Sequence, residues 1–136
     1  MMIRKDNQED IRHIPVHDME FHGFGMGYPD KSLQLDLVDR ENERAFQLTF
    51  RDVAAMQWQG LNLWNGGCTV YGLWPDDDPT YFRQMQQRES DQSVFLCEDD
   101  VYFSIVLALI SGDELKITCR EMEIRIYDFP FCEDEQ

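Results

Sequence analysis

Apolar and polar residues alternate at period two in Leu33-Gln34-Leu35-Asp36-Leu37 and again in Phe46-Gln47-Leu48-Thr49-Phe50. In an extended chain successive side chains point to opposite faces, so each run presents one apolar face. The charged connection over residues 39–44 joins the two as a hairpin. Residues 101–110 are apolar almost throughout, with Ser104 the interruption, which predicts a strand covered on both faces. Ser111-Gly112-Asp113-Glu114 then reads as a hairpin turn into Leu115-Lys116-Ile117-Thr118-Cys119, with Leu115, Ile117 and Cys119 facing the core. The apolar phase moves to even numbers at Met122, Ile124 and Ile126. A bulge or tight turn is therefore expected at Arg120-Glu121 to keep both sets pointing inward.

The remaining segments carry weaker patterns. Residues 19–28 mix strand formers with Gly23, Gly25 and Gly27, as a strand does when it is bent, bulged or closely approached. Residues 75–90 hold the one good helix signal, with Asp78 suited to the N-cap, Pro79 to the first helical position, and Phe82 and Met85 to a common face. The tryptophan-rich stretch 56–74 reads as two short strands around an Asn65-Gly66-Gly67 turn. Residues 1–12 show no apolar period and are expected as a flexible lead-in able to join a sheet edge, and residues 133–136 as an acidic tail. The expectation is a single α+β domain over residues 1–136, mostly an antiparallel β-meander or open sandwich with one short helix.

Charge changes the picture more than any motif. Twenty-seven acidic residues against 12 basic ones give a formal net charge of -15 on 136 residues. A field of that sign repels nucleic acid and anionic membrane surfaces and draws in basic proteins. It also opposes compaction by self-repulsion, so added salt is expected to stabilise the fold. The chain is nonetheless 43% hydrophobic and 12% aromatic, too rich for a disordered acidic segment. No apolar stretch follows Arg4 and Lys5, so no secretory leader is expected and the chain is placed in the cytoplasm. Cys68, Cys97, Cys119 and Cys132 form no Cys-x-x-Cys pair and read as buried free thiols.

Candidate chemistry is sparse. His13, His17 and His22 fall in one window with Asp18 and Glu20. If the chain is extended from Asp18, then Asp18, Glu20 and His22 share a face, and His17 could complete a mixed nitrogen and oxygen metal site. The competing reading makes His17-Asp18 a hydrogen-bonded turn before the first long strand. No Gly-x-Ser-x-Gly elbow or phosphate-binding glycine loop is present, and Cys119 reads as core, so no catalytic residue and no cofactor are assigned. The alternative functional element pairs the acidic clusters Asp76-Asp77-Asp78 and Glu98-Asp99-Asp100 with Trp58, Trp64 and Trp74, aromatic anchors ringed by charge of the kind tight interfaces use.

His17-Asp18, the strand of Leu33, Leu35 and Leu37, and Phe46-Leu48-Phe50-Arg51-Asp52-Val53 together resemble a pattern in small bacterial β-rich domains. Among these are immunity proteins of polymorphic toxin systems. The resemblance covers residues 14–55 and leaves the tryptophan-rich region unmatched. It implies a cytoplasmic protein that neutralises a toxin by stoichiometric binding, without catalysis and with a structural His-Asp turn. Two other functions stay open at this point: a metal-binding module or metal-dependent enzyme built on His17, Asp18, Glu20 and His22, and a structural subunit that pairs with itself through an exposed strand.

Overall fold

The computed structural model describes residues 1–60, 67–78, 80–91 and 101–128. Among these, the strands in chain order are β1 (Met2–Ile3), β2 (Glu20–Gly27), β3 (Ser32–Asp39), β4 (Arg44–Arg51), β5 (Ala55–Gln59), β6 (Val70–Pro75), β7 (Phe103–Leu109), β8 (Glu114–Cys119) and β9 (Glu121–Asp128). A 3-10 helix spans Lys5–His13, and an α-helix, α1, spans Thr80–Asp91. The pairings are antiparallel and make two sheets, ordered β1-β9-β4-β3-β2 and β5-β8-β7-β6. This is the mostly antiparallel, β-rich class that the alternating runs predict.

Register follows the apolar positions. Leu35 lies opposite Leu48 and Leu37 opposite Phe46, while Ile105 lies opposite Ile117 and Leu107 opposite Leu115. These side chains are buried and join one apolar cluster to which both sheets contribute. Full burial of each such side chain is worth about 1.5–3 kcal/mol, which is why the alternation fixes the pairing. Val106 and Ala108, on the other face of β7, are buried as well, so β7 is covered on both sides as its unbroken apolar run requires.

The change of apolar phase after Cys119 has a simple cause. β8 belongs to the four-stranded sheet and β9 to the five-stranded one, so Arg120 is where the chain crosses between layers. Its N–H donates to the carbonyl of Arg51 at 3.3 Å. Odd residues face the core in β8 and even ones in β9 because the two sheets face it from opposite sides. Ile126 is a correction: expected inward, it is 57% exposed, as the last four residues of β9 all lie on the surface.

Two other expectations change. The two strands of the tryptophan-rich stretch do not pair with each other. β5 joins β8 and β6 joins β7, which puts them on opposite edges of one sheet, because the β7-β8 hairpin takes the centre. Residues 1–12, read as a flexible lead-in able to join a sheet edge, do supply β1 on the edge beside β9, but they also supply most of the 3-10 helix, with Ile3 and Ile11 both fully buried. The helix signal is met by α1, where Asp78 Oδ1 accepts the Thr80 backbone N–H at 3.0 Å. Pro79 and the side chains of Phe82, Met85 and Glu89 lie outside the described part of the structure, as do residues 61–66, 92–100 and 129–136.

One edge joins the two sheets and positions the site. The N–H groups of Asp18 and Phe21 donate to the carbonyls of Val70 (2.9 Å) and Cys68 (2.8 Å), and the N–H of Val70 donates to the carbonyl of Met19 (2.7 Å). The entry to β2 is thereby zipped to the entry to β6.

Candidate functional site, an aromatic and acidic concavity on the β6 edge

Three local features of the backbone build the site. Asp18 turns the chain with φ +68°, a left-handed conformation that aspartate tolerates better than most side chains. On β6, Val70 lies opposite Leu109 and Gly72 opposite Ala108, so Tyr71 is the extra residue of a bulge. The bulge sends Tyr71 outward, 59% exposed, while Val70 beside it is fully buried. Gly72 then leaves the outer face bare, and the indole of Trp74 lies over it.

The zipped edge brings His17 to this strand. His17 Nδ1 stands 2.7 Å from the carbonyl oxygen of Tyr71. A carbonyl only accepts, so Nδ1 carries the proton. The rings of His17 and Tyr71 meet edge to face at 6.0 Å and 77°, and those of Tyr71 and Trp74 at 6.4 Å and 89°. His17, Asp18, Tyr71, Trp74, Ile110 and Glu114 line a concavity of about 660 Å³. A neighbouring depression of about 380 Å³ on the other side of the same rings is lined by Arg12, which is paired with Glu9 at 2.8 Å and lies 3.6 Å from Asp77.

The metal set proposed from sequence is divided into two pairs. His17 Nε2 lies 3.5 Å from Asp18 Oδ1, while His22 Nε2 lies 3.5 Å from Glu20 Oε2, and Glu20 is also held by Arg40. The single extended face expected for Asp18, Glu20 and His22 is a correction. Asp18 is left-handed rather than extended, and the register of β2 shifts between Phe21 and Gly23, at His22. Among the described residues no three His, Cys, Asp or Glu side chains are grouped to hold a metal ion.

The proposed docking residues scatter as well. Trp58, on β5, packs edge to face against Phe21 at 5.9 Å and tilted against Phe24 at 6.0 Å, while Trp74 lies on the opposite edge of the same sheet. Trp64, Glu98, Asp99 and Asp100 lie outside the described residues. Within the triplet, the Asp76 side chain is 8% exposed with Lys116 Nζ 4.0 Å from its Oδ2, Asp77 faces solvent, and Asp78 caps α1. Hydrogen bonds from the side chain and backbone of Thr80 hold the Asp78 carboxyl below its ordinary value. The triplet is therefore three different devices rather than one acidic rim.

Tyr71, Ile110 and Glu114 are the members that sequence reasoning missed. Val70-Tyr71-Gly72 carried a signal, since an aromatic between a strand former and a glycine is what a bulge leaves outside. A third depression, apolar and about 640 Å³, lies between the β2–β3 turn and the β4–β5 connection, lined by Met26, Tyr28, Lys31, Val53, Met56 and Tyr102 among others. The thiol of Cys119 is fully buried, and burial pushes its pKa upward, which makes it a core side chain with little thiolate character. No helix among the described residues is long and apolar enough to cross a membrane. No protein-family model matches the chain, and neither does any curated protein or solved structure.

Proposed function

We propose that this chain is a non-catalytic, acidic docking protein that captures a basic protein partner, in the manner of an immunity protein that neutralises a toxin by stoichiometric binding. The observation that carries the reading is charge. Of the 12 cations, at least eight (Arg4, Arg12, Arg40, Arg44, Arg51, Lys116, Arg120 and Arg125) stand in ion pairs within the chain. Most of the cations are thus already committed, and a net surplus of -15 remains on the molecule. Such a surplus accelerates encounter with a positive surface and repels phosphate backbones and anionic lipid.

The test is the association rate with a co-encoded toxin at low and high salt. Electrostatic steering predicts a fall of roughly tenfold or more as salt rises. A flat response contradicts the electrostatic basis of the proposal.

A further inference from the structure

We infer that the concavity formed by His17, Asp18, Tyr71, Trp74 and Glu114 is a receptor for a single basic side chain of the partner, arginine before lysine. The inference rests on the docking reading for its biological sense, and on its own geometry for its chemistry.

Two observations point to the same occupant. The first is the carboxylate beside His17. The Nδ1 proton of His17 is spent on the Tyr71 carbonyl, which holds the ring with Nε2 3.5 Å from Asp18 Oδ1. A guanidinium offers a rigid fork of N–H groups to a carboxylate, whereas an ammonium offers a single point charge. The second observation is the setting. The rings of Tyr71 and Trp74, perpendicular at 89°, line the same concavity with the carboxylates of Asp18 and Glu114. Aromatic faces and fixed carboxylates both favour a cation over a neutral group of equal shape. The site's own cations do not fill it: Arg12 lies in the neighbouring depression on Glu9, and Lys116 is held toward Asp76. A second copy of the chain is a poor occupant, because two bodies of charge -15 repel.

The experiment compares end-blocked Gly-Arg-Gly with its Gly-citrulline-Gly counterpart, which has the same shape without the charge. Each is titrated into the full chain while the Trp74 indole and His17 ring resonances are followed by NMR. The expected result is saturable shifts of both residues with the arginine peptide, and roughly twofold to fivefold weaker binding of the citrulline peptide, in line with the worth of a cation at an exposed aromatic site. Tyr71→Ala and Asp18→Asn each weaken the arginine peptide severalfold. Tyr71 is exposed and asparagine accepts a left-handed backbone, so both variants keep the fold, which an unchanged melting temperature verifies. Equal binding of the two peptides, or shifts confined to other residues, overturns the receptor. If the receptor fails while association with a protein partner remains steeply salt-dependent, the docking reading stands without it. If the peptide binds but no salt-dependent partner association exists, the docking reading fails and the receptor stands.

Discussion

A Cβ placed on Gly72 would stand 2.7 Å from Cζ3 of Trp74. The indole owes its position over β6 to a missing side chain two residues earlier in the same strand. Gly72→Ala ordinarily gains stability by restricting the unfolded chain, but here the added methyl must displace the ring. The expected outcome is a net loss of about 1 kcal/mol in denaturant unfolding, with an altered near-ultraviolet signal from the tryptophans. Unchanged stability together with an unchanged aromatic spectrum contradicts the packing described for this edge.

The 3-10 helix offers a second test through Ile11. The surrounding residues are charged or amide, yet Ile11 is fully buried in the common cluster, and the helix packs on β6. Ile11→Ala should cost about 2–4 kcal/mol, the range for removing a buried branched side chain. A loss within about 0.5 kcal/mol, the size of a surface substitution, shows that residues 5–13 are not docked.

Asp39 links stability to pH. The Asn42 side chain, and then Arg44, whose Nε lies 3.1 Å away, hydrogen-bond its carboxylate and hold its pKa below the ordinary value. A group whose folded-state pKa is lowered contributes stability above its unfolded value and loses that contribution as pH falls through the folded one. Asp39→Asn should therefore melt below the natural protein at neutral pH, and the gap should close as pH falls from about 5 to about 3. A gap independent of pH over that window contradicts the assignment.

The β3–β4 and β7–β8 hairpins were legible because their alternation is local: Leu33 to Leu37 and Leu115 to Cys119 declare an inner face within five residues. Sheet membership was not, because the crossing at Arg120 and the zipping of residues 18–21 to residues 68–70 depend on partners distant in sequence. The burial of the N-terminal segment escaped notice for a related reason. Ile3 and Ile11 are single apolar side chains eight residues apart, too sparse to show a period, and each is buried by what packs on it.

The same distinction governs the site. His17, Asp18 and Trp74 were visible as residue types with chemical capacity, but assigned to two different functions. His17 meets Tyr71 across 54 residues of chain, through a contact that no spacing reveals. The metal set failed on two local events, the left-handed turn at Asp18 and the register shift at His22, and the glycines of β2 announced only that some irregularity was coming.

The most direct measurement of the central claim is the association rate with a basic protein partner over a series of salt concentrations, for the natural chain and for a variant with exposed carboxylates, Asp18 and Asp77 among them, changed to amides. The account predicts a rate that falls steeply with salt for the natural chain and a lower, flatter curve for the variant. Two superimposable curves, or a rate indifferent to salt, would contradict it.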